Sequence, residues 1–107
     1  MLESPAVLEA LATLRSDCPV GLSVSHPQVP TIAQAVGIAH GDAPLFGSVQ
    51  ATFNLLDQSA GEALEAAHAA GMVVIVKEAL ANGRLTPRAP SVSAAELEAT
   101  HPGWLAR

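Results

Sequence analysis

The sequence predicts an α/β protein built on a parallel sheet, and three observations carry that expectation. MVVIV (Met72 to Val76) is an unbroken apolar run that follows Gly71 and meets charge at once in Lys77 and Glu78. A strand apolar on every residue is expected to be buried on both faces, as in a parallel sheet covered by helices. A helix-then-strand unit recurs three times along the chain, in shape though not in letters. Strand starts fall roughly 25 residues apart, enough for a crossover that holds a helix. Such a segment reads as one slice of an α/β barrel or of a doubly wound sheet. In both, ligands sit where the strands end, which is where Lys77 and Glu78 fall.

The first unit is SPAVLEALATLR followed by VGLSVS. Ser4-Pro5 is a cap and a first-turn proline, and Val7, Leu8, Leu11 and Leu14 share a helical face. Val20 to Ser25 then reads as a short strand that stops at Ser25-His26-Pro27. In the second unit, PTIAQAVGIAHG places Ile32, Ala35, Val36 and Ala39 on one face, with Gly41 as the stop, and SVQATFNLL as its strand. The third opens at Ser59, where Ser59 and Glu62 have the spacing of a capping box. Its helix runs to about Ala70, Gly71 supplies a left-handed C-cap, and MVVIV is its strand.

After Leu85 the character of the chain changes. Thr86-Pro87-Arg88-Ala89-Pro90 is linker-like and expected to be extended. SVSAAELEAT offers one short helix with a second capping box at Ser93 and Glu96, and His101-Pro102-Gly103 stops it before Trp104.

Composition bounds the function. With 107 residues the chain is one domain at most, and with only three aromatics among many alanines its core is thin. A net charge of −5 argues against a partner with a phosphate backbone. Cys18 is the sole cysteine, so neither a disulfide framework nor a cysteine-based metal site is expected. The start, MLESPAV, lacks the basic flank of a signal peptide, and the apolar run Ala69 to Val76 is too short to span a bilayer. A cytoplasmic chain with no membrane partner is the expectation.

No self-sufficient chemistry is visible. His26, His40, His68 and His101 lie too far apart for a zinc pair. Ser23 and Ser25 lack the nucleophile-elbow pattern, and no glycine-rich phosphate loop lies between a strand and a helix. The glutamates read as solvated helix faces. Lys77 and Glu78 stand apart because they close an apolar strand. Either they belong to a site, or Lys77 reaches outward and Glu78 caps the next turn.

The blocks GLSVS, SVQATFNLLDQSAG and GMVVIVKEALANGRL carry a resemblance. They pair a Q-x-x-aromatic-N-L-L strand with a V-I-x-x-x-x-L-A-x-G-x-L strand and loop one helix later. Together they resemble the fifth, sixth and seventh strands of the aldo/keto reductase family, an NAD(P)H-dependent (β/α)8 barrel, over about Val20 to Thr86. The resemblance implies a partial TIM-barrel fragment at 1–86, with about three parallel strands and helices on one face, and a linker with a short helix at 87–107. It implies NADP or NAD as cofactor, with Ser23 and Gln50 on the nicotinamide carboxamide. Val24 stands where the family commonly has a second carboxamide ligand, Asn. Lys77, Glu78, Ala79 and Leu80 take the places of an aromatic-Ser-Pro-Leu run. Lys77 cannot stack as a ring does, though its cation can approach phosphate, and Leu80 to Gly83 correspond to the loop over the pyrophosphate.

The family transfers hydride to carbonyls with a tyrosine as general acid, and this chain has no tyrosine. No catalytic residue is therefore assigned. The resemblance implies an oxidoreductase that is inactive alone, with a second chain that completes the barrel as its candidate partner. Two alternatives stay open: a non-catalytic small α/β protein that binds a nucleotide or another chain, and an unrelated doubly wound module.

Overall fold

The computed structural model describes residues 2–87 and Ala99. In chain order the elements are α1 (Pro5–Arg15), β1 (Gly21–Ser23), α2 (Gln28–Val36), β2 (Ala39–His40), β3 (Ala43–Pro44), β4 (Ser48–Thr52), α3 (Gly61–Ala69) and β5 (Val73–Lys77), followed by a 3₁₀ turn at Ala81–Gly83. Of the C-terminal helix expected at 91–100, Ala99 is described and is helical; the Ser93–Glu96 capping box and Trp104 lie outside the described residues.

Local chemistry explains most boundaries. Pro5 sits at the start of α1, where its missing N–H has no intrahelical role. Leu8, Leu11 and Ala12 turn toward the core, whereas Val7 and Leu14, expected on the same face, are exposed. The inward stripe of α1 is thus Leu8, Leu11 and Ala12, each half-buried.

α2 starts at Gln28, ahead of the expected start, with Pro30 inside its first turn, where N–H groups lack intrahelical acceptors. Ile32 and Ala35 are its fully buried positions. It ends at Gly37 and not at Gly41. Gly41, with φ of 65°, instead makes the turn of the β2–β3 hairpin, and Ala39 is exposed within β2. That hairpin, which the sequence did not suggest, delivers Leu45 and Phe46 to the core, where they are 2% and 1% exposed. It is anchored by the Leu45 N–H, which donates to the Ile38 carbonyl at 2.8 Å.

The Ser59–Glu62 capping box does not form. The Ser59 hydroxyl donates to Asp57 Oδ1 at 2.6 Å, and α3 begins beyond it with Ala60 at the N-cap. Gly71 does adopt the left-handed conformation, φ 92°, and turns the chain into buried Met72.

The sheet is parallel throughout, in the order β1-β4-β5. Gly21, Leu22 and Ser23 pair with Ser48, Val49 and Gln50, and Ser48 to Thr52 pair with Val73 to Lys77. Alternation along each strand then sorts the side chains. Leu22, Val49, Ala51 and Val74 join Ile32, Ala35, Leu64, Ala67 and the α1 residues in one cluster. Ser23, Gln50, Ile75 and Lys77 fall on the opposite face, which none of the described helices covers. Parallel strands with helices on one side match the expectation, and a doubly wound arrangement, with helices on both sides, does not describe these residues.

Burial of MVVIV on both faces is overturned. Val73 is 62% exposed, and Ile75 and Val76 are each 44% exposed. β5 is an edge strand among the described residues, with a neighbour on one side and a helix on one face. An apolar run cannot tell a central strand from an edge strand.

Gln28, 2% exposed, holds the end of β4. Its Oε1 accepts from the Thr52 N–H at 2.6 Å, and its Nε2 donates to the Thr52 carbonyl at 3.1 Å. Truncation strands a buried donor and acceptor, at a cost of about 1–3 kcal/mol. Gln28→Ala should therefore lower the urea midpoint of unfolding well beyond exposed Gln34→Ala, and equal midpoints would refute the assignment.

Candidate functional site

The C-terminal ends of β1, β4 and β5 lie side by side, and the residues expected to bind a dinucleotide fall there in two groups. Ser23 and Gln50 are register partners on the uncovered face, Ser23 exposed and Gln50 half-buried. Lys77 lies on the same face, in register with Thr52. Leu80 and Gly83 belong to the turn after β5, with Leu80 exposed and Gly83 left-handed at φ 89°.

Lys77 neither reaches outward nor stands free. Its Nζ crosses the end of β4 and donates to the Val24 carbonyl at 2.6 Å. An ammonium has three donors, so this bond leaves two. Val24 buries its side chain among the core residues and offers the open face no polar side chain.

The loop after β5 is unusual in its backbone. Glu78, Ala81 and Asn82 have φ of 58°, 49° and 55°, a region that non-glycine residues seldom occupy. Such conformations persist where surroundings fix them. Here the Glu78 carbonyl accepts from Asn54 Nδ2 at 2.9 Å and from the Ala81 N–H at 2.7 Å. Asn54 Oδ1 in turn accepts from the N–H groups of Leu56 and Asp57, each at 2.9 Å. One buried asparagine thus shapes the β4–α3 loop and ties it to the loop after β5.

Beside this tie lies a cleft of about 200 Å³, lined by His26, Thr52, Asn54, Asp57, Glu78 and Asn82 among others. None of Ser23, Gln50, Lys77, Leu80 or Gly83 lines it. His26 Nε2 and Asp57 Oδ2 are 3.2 Å apart across its rim. Burial acts to raise the Asp57 carboxyl, but the Ser59 hydroxyl and N–H, together with His26, outweigh it and hold the group below its usual range. Among the described residues no group of three or more His, Cys, Asp or Glu could hold a metal ion, and no helix is long and apolar enough to cross a membrane.

Sequence reasoning missed Gln28, Asn54 and the His26–Asp57 pair. Asn54 had a local signal, since an asparagine right after a strand and three residues before an aspartate fits a loop that bonds its own backbone. Gln28 had none. Comparison with protein-family models, curated proteins and solved structures finds no match for this chain.

Because the folded-state pKa of Asp57 is depressed, its contribution to stability is present above the unfolded value, about 3.9, and is lost as pH falls through the folded value. The stability difference between the parent and Asp57→Asn should shrink as pH falls below about 4. Denaturant unfolding across that range measures it, and a difference that does not change with pH would contradict it.

Proposed function

We propose that this chain carries the nicotinamide-facing strands of an aldo/keto reductase-like, NAD(P)H-dependent oxidoreductase, and that alone it binds the dinucleotide weakly and transfers no hydride. The observation that carries this reading is the pairing of Ser23 with Gln50 in adjacent parallel strands, on the face no described helix covers. A hydroxyl and a side-chain amide both donate and accept hydrogen bonds, as a carboxamide requires of its partners. Lys77 adds a cation on the same face, and the Leu80–Gly83 turn follows directly from that strand. The sequential strand order with helices on one side supports the barrel origin of the segment, since a (β/α)8 barrel is wound that way.

The bound dinucleotide would supply hydride; Ser23 and Gln50 would orient its nicotinamide. The tyrosine that donates the proton in that family has no counterpart here, because the chain contains no tyrosine. On this reading a second chain that completes the barrel is the natural partner. The same absence favours the second reading, a non-catalytic α/β protein that binds a nucleotide or a partner at these strand ends. The engagement of Lys77 with the Val24 carbonyl also favours it, since a tie within the sheet explains the lysine without a cofactor.

Titration with NADPH and NADH, followed by fluorescence and melting temperature, separates the two. Gln50→Ala removes a neutral hydrogen bond worth about 0.5–1.5 kcal/mol and should weaken nicotinamide binding roughly threefold to tenfold. Equal binding by mutant and parent, or none by the parent, would leave Gln50 a structural residue. NADPH oxidation with aliphatic or aromatic aldehydes should stay at background, since general acid catalysis typically supplies about 10²–10⁴-fold. Turnover that follows the protein through purification would overturn the reading.

A further inference from the structure

Among the described residues, one buried side-chain polar atom has no hydrogen-bond partner: Nη1 of Arg15. A guanidinium nitrogen enclosed without an acceptor is costly, and such atoms are rare in folded proteins. Arg15 closes α1 and borders a cleft of about 300 Å³ formed by residues 15–20 and Gly47. Val20 leads into β1 and Gly47 into β4, so the cleft lies at the N-terminal end of the sheet. It is separate from Ser23, Gln50 and Lys77 and does not depend on a dinucleotide there. We propose that this cleft binds a small α-amino carboxylate, with Arg15 on the carboxylate and Asp17 on the ammonium.

The charges point to a ligand that carries both signs. Arg15 and Asp17 border the same cleft, two positions apart, yet they form no ion pair with each other. A guanidinium presents a fork that matches a carboxylate, and a carboxylate accepts from an ammonium. A molecule with both groups on neighbouring atoms can meet the two side chains at once.

The backbone donors around the cleft are already engaged. The N–H groups of Asp17 and Cys18 both donate to the Leu14 carbonyl, at 2.9 and 3.0 Å, and that of Ser16 donates to the Thr13 carbonyl at 3.2 Å. The Gly47 N–H donates to the Val20 carbonyl at 2.7 Å, and Pro19 has no N–H to offer. These bonds fix the turn after α1 and leave recognition to side chains. Arg15 is half-buried. Rotation about its terminal bonds turns the fork into the cleft and gives Nη1 the acceptor it lacks.

Charge and size narrow the class further. The last carbonyls of α1 carry the negative end of the helix dipole, and Asp17 adds a carboxylate. The chain as a whole has a net charge of −5. A dianion is repelled by that surrounding, whereas a zwitterion without net charge is not. The volume stands at the lower end of the range for ligand pockets, about 300–1,000 Å³, which suits a few heavy atoms.

Titration of the isotope-labelled full chain with L-alanine tests this, with acetate, ethylammonium and inorganic phosphate as separate probes. L-alanine should shift the amides of residues 15–18 and Gly47, and the Arg15 Nε–H signal, to saturation. Acetate and ethylammonium each lack one charged contact and should bind at least about tenfold more weakly, and phosphate weaker still. Arg15→Gln should abolish the L-alanine shifts. Asp17→Asn should lower L-alanine to the level of acetate and leave acetate unchanged, with the signals of the sheet in place. Should Arg15→Gln not fold, Arg15→Lys keeps the charge without the fork and should weaken L-alanine at least about threefold. Absence of saturable shifts in the parent would overturn the proposal, as would unchanged binding by the Arg15 or Asp17 variants. Acetate or phosphate binding as tightly as L-alanine would mark a plain anion site and sink the amino-carboxylate assignment.

Discussion

Parallel strands end without a hairpin to hold them level, and in this chain three side chains take over that task. Gln28 pairs with both backbone groups of Thr52, Lys77 crosses the sheet to the Val24 carbonyl, and Asn54 reaches the Glu78 carbonyl. Gln28 and Asn54 each span 24 residues of sequence, and Lys77 spans 53. Each neutral bond of this kind nets about 0.5–1.5 kcal/mol and the charged one from Lys77 about 1.5–3 kcal/mol, and a buried backbone group left unpaired costs about 1–3 kcal/mol. The mouth of the sheet depends on them, because the loops that begin there have few other fixed points.

That dependence is sharpened by the composition of the core. Ala35, Ala51, Ala60 and Ala67 are fully buried, yet each removes little apolar surface from water. Phe46, Ile32, Leu45, Met72 and Val49 are the largest fully buried side chains. Leu45 and Phe46 reach the core through the β2–β3 hairpin, so a short antiparallel insertion contributes more to burial than its length suggests. Small side chains let the helices lie close to the sheet, while directional hydrogen bonds fix where each strand stops.

Two polar surfaces result, and they are chemically distinct. The uncovered face presents Ser23, Gln50 and Lys77 beside exposed Val73 and Ile75, a mixture suited to a flat, partly apolar ligand or to a second polypeptide. The cleft beside Asn54 is smaller and carries charges of both signs, with His26 and Asp57 in contact across its rim. The left-handed residues after β5 border the cleft, so the backbone is most constrained where the two surfaces meet.

The sequence by itself determined three strands joined by helical crossovers, and with them the parallel pairing, because the spacing of the apolar runs leaves room for a helix between them; the strand order was decided by the tertiary structure. Alternation fixes which residues of a single strand share a face, but that Ser23, Gln50 and Lys77 share one was set by the register between strands. The sequence could not determine that β5 is exposed: burial of an apolar run depends on what lies against it, and only the packing of α3 and the free edge decided that. Nor could it find the β2–β3 hairpin inside what read as a helix end, or replace the Ser59 capping box with the Asp57 contact, because in each case neighbouring groups outcompete local propensity. The ties made by Gln28, Asn54 and Lys77 join residues far apart in sequence. A side-chain amide or ammonium pairs with whichever backbone group the fold brings within reach, and that was settled by the tertiary structure alone.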